Sequence, residues 1–244
     1  MFWPSFYITR RDSILTLNEQ LIQSIYKIED AIQVVEAMLA AIHRGQVENS
    51  HRTVLMSLNA KGLFSICQVR MGRKWQLPKL YPFFLRTNLL MLRPHKDILL
   101  TELEAGKHIS LLSASYLTWL RTCALSAIST RHLVRRDSKG LTVIGKSAMA
   151  FEQVLGLVNV LPIQDNYLVN RSLNKTYTFS EKHKEAGVTF TIQTVSTPEM
   201  KQWLSLFSFV VRPGQTKKYL MHVKAGTQLI GGDSYLPEIR EIPL

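Results

Sequence analysis

The chain has 244 residues, 46% of them hydrophobic and 20% charged, which excludes a disordered chain and leaves room for one large domain or two modest ones. Thirty Lys and Arg against 18 Asp and Glu leave a formal charge of +12, so the expected partners are anions: nucleic acid, an anionic membrane surface, or ligands bearing phosphate or carboxylate. The two cysteines, Cys67 and Cys123, cannot build a CxxC site or a disulfide framework and fit a reducing cytoplasm.

In chain order, the opening segment MFWPSFYITRR is apolar before it is basic, the reverse of a secretory signal peptide. The stretch NEQLIQSIYKIEDAIQVVEAMLAAIHRG spaces Leu21, Ile25, Ile28, Ile32, Val35 and Leu39 by three and four residues. That spacing predicts an amphipathic helix or a pair of them, closed by Gly45. From 51 to 113 the runs HRTVLMSLN, GLFSICQV, NLLMLRP and HISLLSA lie between Gly, Pro and charged turns, a texture of antiparallel strands, with LEAGK at 103–107 as a hairpin loop. The run YPFFLRTNLLML is interrupted by Arg86 and is too short to span a bilayer. The protein is therefore expected to be soluble and cytoplasmic, with no membrane partner.

From residue 116, YLTWLRTCALSAISTRHLVR reads as a long helix rich in small residues, followed by the loop RDSKG. A strand at 141–144, a helix at about 148–160 and the strand NYLVN come next, then a polar stretch to 186. The strand VTFTIQTV, a helix at 197–206, and the strands FSFVV and GTQLIGG complete the pattern. Strands alternating with helices predict a parallel sheet of α/β class. The natural boundary falls near residue 115, giving domains at 1–115 and 116–244.

The stretch LTVIGKSAMAFEQVL (141–155) passes from a strand through glycine into a helix. Such a turn offers backbone N–H groups to a phosphate, and dinucleotide-binding proteins commonly place a second and third glycine there. Ser147 and Ala150 stand at those positions, so a structural strand–helix corner is the competing reading. The next strand ends in Asn170-Arg171-Ser172. An acidic residue at that tip would accept from the ribose 2′-hydroxyl of NAD, whereas a neutral residue beside arginine suits the 2′-phosphate of NADP. A solvated turn remains the alternative. The basic residues are scattered, as Arg10-Arg11, Arg70 to Lys74, Arg131 to Arg136 and Lys217-Lys218. With no basic tail, no zinc-finger spacing and no RNA-recognition signature, neither nucleic acid nor a metal is an expected partner.

The segment YLTWLRTCALSAISTRHLVRRDSKGLTVIGKSAMA resembles the signature stretch of the ornithine cyclodeaminase/mu-crystallin family. So do VNRS after the second strand, KAGTQLIGGDSYLPEIREI near the end, and a helix ending AAIHRG followed by Arg52. The resemblance implies an α+β substrate-binding and dimerisation domain, then a Rossmann-type NAD(P)-binding domain, with the active site in the cleft between them. It implies a homodimer that moves a hydride at the α-carbon of an amino or imino acid using NAD(P), with Asn170-Arg171-Ser172 slightly favouring NADP over NAD. Some members cyclise their product with loss of ammonia; others reduce ketimines or oxidise alanine. Arg52 and Arg121 match the arginines that hold the substrate carboxylate, a task suited to a planar fork. Asp233 matches the acid–base that handles the amino group or attacking water. Thr118, Gly145, Ser147, Ala148, Met149, Asn170, Arg171 and Ser172 match positions around the cofactor.

Four departures accompany the match. Ser147 replaces the second glycine, and its Cβ narrows the approach of a pyrophosphate. Cys67 occupies the place of a lysine that would help bind the substrate carboxylate. Arg212 stands in a turn that is small and threonine-rich in the family. The chain stops at REIPL, several tens of residues before the family pattern ends, so the second domain is expected to lack its C-terminal end. These departures keep open a degenerate, non-catalytic member that binds a ligand or partner.

Overall fold

The computed structural model describes residues 14–49, 53–56, 62–71, 75–84, 96–144, 148–169, 173–186, 191–194, 207–210 and 226–231. The chain divides into two compact units, one of Met1–Ile25 with Met38–Leu117, the other of Tyr26–Ala37 with Thr118–Leu244. Tyr26–Ala37 thus belongs with the second unit, whereas a single boundary near residue 115 leaves it in the first.

The first unit opens with a short strand β1 (Leu15–Leu17). The amphipathic run that follows is a pair of helices, α1 (Glu19–Ile25) and α2 (Ile28–His43). Asn18 caps the first, its Oδ1 accepting from the Leu21 N–H at 2.8 Å, which satisfies one of the donors a helix start leaves bare. Asp30 reaches back to the Lys27 N–H at 3.0 Å, half of a capping box. At the far end the Gly45 N–H donates to the Ile42 carbonyl and the Gln46 N–H to the Ala41 carbonyl, both at 2.9 Å. This is the Schellman arrangement, and the φ of 69° it imposes on residue 45 favours glycine because no Cβ obstructs it.

Six further strands complete the unit's sheet: β2 (Val47–Asn49), β3 (Thr53–Met56), β4 (Gly62–Met71), β5 (Trp75–Phe84), β6 (Asp97–Glu102) and β7 (His108–Ser113). Their order is β1-β7-β6-β5-β4-β2, with β3 also pairing to β4. Only β1 runs parallel to its neighbour. The loop 103–107 joins β6 to β7 with a Glu102 N–H donating to Lys107 O at 2.8 Å, the hairpin that LEAGK predicts.

Strand β5 contains Pro78 and Pro82 and so does not read as an interior strand. The ladder tolerates both. The register to β6 passes from Gln76↔Thr101 to Lys79↔Ile98, skipping Leu77 and Pro78, and it ends at Leu80↔Asp97, short of Pro82. The expected strand NLLMLRP and the expected helix at 197–206 lie outside the described residues.

In the second unit α3 (Ser115–Leu133) leads to β8 (Gly140–Ile144), α4 (Ala148–Val160), β9 (Asp165–Val169), α5 (Leu173–Glu185), β10 (Thr191–Thr194), β11 (Phe207–Val210) and β12 (Gln228–Gly231). All four strand pairings are parallel, in the order β10-β9-β8-β11-β12. Counted along the sheet that is third, second, first, fourth, fifth, the Rossmann-type arrangement. The α/β expectation therefore holds.

The polar stretch to 186, read as carrying no element, is largely the helix α5. Its polar composition hides a narrow inward stripe, Phe179 and His183, spaced by one turn and both buried. The His183 ring packs on Phe179 and on Phe151 of α4, with centroids 4.3 and 4.7 Å apart. Leu141, Val143, Ala150, Val154, Leu157, Phe179 and Ile230 form the core. Burying a leucine such as Leu157 contributes about 1.5–3 kcal/mol.

The first half of α2 closes this unit. Ile28, Ala31, Ile32 and Val35 are buried, and Gly156 of α4 lies against Ile28 and the Cys123 carbonyl. Exposed polar links add Glu36 to Arg131 at 2.8 Å and Asn159 to Glu29 at 3.3 Å, contacts of modest worth.

Candidate cofactor and substrate site

The parallel sheet concentrates chain exits at one edge. Ile144 and Val210 are rung partners at the ends of β8 and β11. Those are the two strands at which the connection order reverses, where open α/β sheets bind ligands. Gly145 follows β8, Asn170 follows β9, Arg212 lies two residues past β11, and Asp233 two residues past β12. Four segments singled out by sequence therefore leave the carboxyl edge of one sheet. Gly145, Ser147, Asn170, Arg171, Ser172, Arg212 and Asp233 themselves lie outside the described residues, as does Arg52, which precedes β3.

The described candidates are Thr118, Arg121, Ala148 and Met149. Thr118 and Arg121 sit one turn apart on α3, the threonine buried and the arginine exposed. The Thr118 carbonyl accepts from the Thr122 hydroxyl at 2.8 Å, a back-bond that spends the Thr122 hydroxyl within the helix.

Two residues past Arg121, the buried Cys123 places its Sγ 3.8 Å from the Met149 carbonyl. That contact brings the α3 turn carrying Thr118 and Arg121 to the beginning of α4. Burial first, and the Glu152 carboxylate second, push the Cys123 thiol far up, with Arg121 acting the other way. Cys123 therefore stays protonated and donates its S–H to that carbonyl. Burial likewise raises Glu152 on α4, with Lys27 opposing and Glu29 adding to the effect. Met149 packs its side chain against the core, so what it offers a ligand is backbone.

Helix α4 begins at Ala148, four residues past the end of β8. The first N–H groups of a helix have no acceptor within it, and the dipole there favours an anion. The described half of the turn fits a dinucleotide. Ala150 is fully buried in the core beneath α4, at the third fingerprint position, where glycine or alanine permits close helix–strand packing. Alanine there belongs to the pattern and is no departure from it.

One residue absent from the sequence reading, Glu152 on α4, enters here through its effect on Cys123.

Fold and site edge together define an α/β protein with a dinucleotide-type sheet and an anion-accepting helix start at its switch point. The chain belongs to the ornithine cyclodeaminase/mu-crystallin family, which it matches over residues 13–203. It is 28% identical over 165 residues to the Delta(1)-pyrroline-2-carboxylate reductase of Bacillus thuringiensis subsp. konkukian, covering 60% of this chain and 50% of that protein. The chain thus spans about half the length of that curated relative.

Among solved structures, the Thermococcus litoralis Delta(1)-pyrroline-2-carboxylate reductase in complex with NADH and L-proline superposes with a TM-score of 0.75 at 19% identity, covering 89% of this chain and 69% of that one. The iminosuccinate reductase of Paracoccus denitrificans in complex with NAD+ gives 0.75 at 19%, covering 88% and 67%. These likenesses establish the fold.

Among the described residues, no helix is long and apolar enough to cross a membrane.

Proposed function

We propose that this chain is an NAD(P)-dependent enzyme acting at the α-carbon of an amino or imino acid. The observation that carries the reading is the carboxyl edge of the parallel sheet, from which the segments holding Gly145, Asn170, Arg212 and Asp233 all depart. A bound nicotinamide cofactor supplies the hydride acceptor or donor. The turn Gly145 to Ser147 and the start of α4 at Ala148 and Met149 take its pyrophosphate, and Thr118 lies near its ribose and amide. Asn170, Arg171 and Ser172 receive the adenosine ribose, with the arginine favouring the 2′-phosphate of NADP. Arg52 and Arg121 hold the substrate carboxylate, which fixes the α-carbon for transfer. Asp233 holds or moves the proton at the substrate nitrogen or at an attacking water. The working form is a homodimer.

The test is a titration of the purified chain with NADPH and NADH, followed by nicotinamide fluorescence. Binding of either, tighter for NADPH, supports the reading; no binding at millimolar cofactor overturns it. For the wild type with turnover, Asp233→Asn lowers kcat far more than it raises KM, and equal losses in both would make Asp233 structural. A second reading, a ligand-binding member without turnover, is favoured by Cys67, which stands in β4 where the family resemblance calls for lysine. Cofactor binding without turnover on any α-amino or imino acid would select it.

A further inference from the structure

Helix α4 turns one stripe toward α3. Met149, Gln153 and Gly156 follow one another along it by helical spacing. The Met149 carbonyl lies 3.8 Å from the Cys123 Sγ, and a Cβ at Gly156 would lie 3.5 Å from the Cys123 carbonyl. Between those two contacts stands Gln153, only 1% exposed. Neither its Nε2 nor its Oε1 has a hydrogen-bond partner among the described residues. Burying a primary amide without partners is costly, and a methionine would fill the same space without that cost.

Position separates this amide from other buried groups in the same condition. The Ser138 hydroxyl, the Asn166 amide and the Gln228 side-chain oxygen also lack partners among the described residues. Ser138 precedes β8, Asn166 is the second residue of β9, and Gln228 is the first of β12. All three therefore lie at the amino edge of the parallel sheet. Gln153 is set toward the other edge. It stands five residues past Ala148, the first residue of α4, about 7.5 Å along the helix. Side chains of an α-helix lean toward its N-terminus and cover the preceding turn. Gln153 therefore delivers its amide near the first turn of α4, where N–H groups have no acceptor within the helix.

We infer that Gln153 is a cofactor-supporting residue that acts through ordered water, which its amide anchors against the pyrophosphate at the start of α4. The inference rests on the function proposed above and adds a residue to it. Water accepts from Nε2, donates to Oε1 and donates onward to phosphate oxygens, so both ends of the amide are met. The buried amide thus lowers the stability of the chain and raises its hold on the cofactor, a trade common at functional positions.

The experiment takes two readings on each variant: the urea midpoint of the cofactor-free chain, and the Kd of NADPH and NADH by nicotinamide fluorescence. Gln153→Met removes the amide and keeps the length of the side chain. It should raise the urea midpoint and weaken whichever cofactor the wild type binds by roughly 2- to 10-fold, the worth of one hydrogen bond. Gln153→Asn keeps the amide but draws it back by one methylene, so it should weaken the cofactor without raising the midpoint. A residue that only packs would move the midpoint alone. Unchanged cofactor affinity in either variant, or a lower midpoint for Gln153→Met, would overturn the assignment of Gln153 and leave the proposed function standing. A wild type that binds neither NADPH nor NADH would overturn the proposed function, and Gln153 with it.

Discussion

The two sheets differ in where they can keep functional residues. In the second unit every described strand points the same way, so the connections after β8, β9, β11 and β12 leave from one edge and the strands beneath them are free to be core. In the first unit the strands alternate in direction from β3 to β7, while β2 runs the same way as β3 and β1 runs parallel to β7. From β3 to β7 consecutive connections therefore fall at opposite edges of the sheet. A parallel sheet gathers its exits; an antiparallel one divides them.

That contrast can be tested hardest through the core. Leu157 is almost fully buried between α4 and the parallel sheet, and Leu157→Ala should cost about 2–5 kcal/mol in urea denaturation. Leu111 on β7 is 36% exposed, and Leu111→Ala should cost less than about 1 kcal/mol. Comparable losses would mean that the first sheet depends on that face as much as the second depends on its core.

A smaller effect comes from His183. Its Nδ1 lies 2.8 Å from the Phe179 carbonyl, and a carbonyl can only accept, so Nδ1 carries the hydrogen. Burial lowers the ring's proton affinity, only partly opposed by that hydrogen bond. The folded pKa lies below the unfolded one, so below about pH 6.5 the unfolded chain binds the additional proton and stability falls. Above that pH the two states bind equally and nothing is lost. The slope contributed cannot exceed about 1.4 kcal/mol per pH unit. His183→Phe keeps a ring between Phe151 and Phe179 and should flatten the pH dependence of urea stability between pH 5 and 6.5, whatever its effect at neutral pH. An unchanged slope would place the acid sensitivity elsewhere.

The smallest effect has the opposite sign. A Cβ at Gly156 would lie 3.4 Å from Ile28 Cγ1 and 3.5 Å from the Cys123 carbonyl, ordinary contact distances. Gly156→Ala should therefore stabilise the chain by about 0.5–1 kcal/mol through helix propensity. A measured loss would show the α2–α3–α4 packing to be tighter than those distances imply.

How much of this was legible in the sequence follows the same division. Strands β8, β9, β11 and β12 are short apolar runs set between helices, and their texture gives both the elements and the parallel sheet. The helix α5 was hidden because, among its described side chains, Phe179 and His183 are the buried ones, too sparse a stripe to register as a period. In the first unit the prolines of β5 and the charged ends of β6 conceal two interior strands. The short strands β1 and β2 gain their identity from neighbours distant in sequence, which no local pattern records. Of the site, the glycine after a β-branched run indicated the turn into α4, while Thr118 and Arg121 came from the family resemblance. What they could not give is the bond from Cys123 to Met149 that ties those elements together, because it joins residues 26 positions apart.

One helix sets how the protein can be made. The Tyr26–Ala37 segment, with Ile28, Ala31, Ile32 and Val35 buried in it, belongs to the unit whose sheet comes from the other end of the chain. During synthesis this segment emerges long before α3 and α4 exist to receive it, so the early part of the chain must wait with an oily helix uncovered. A fragment starting at Thr118 would in turn be born with the groove at Gly156 and Cys123 open. Either half expressed alone is thus a candidate for chaperone capture, and supplying residues 26–37 as a separate peptide is the natural way to rescue the later half.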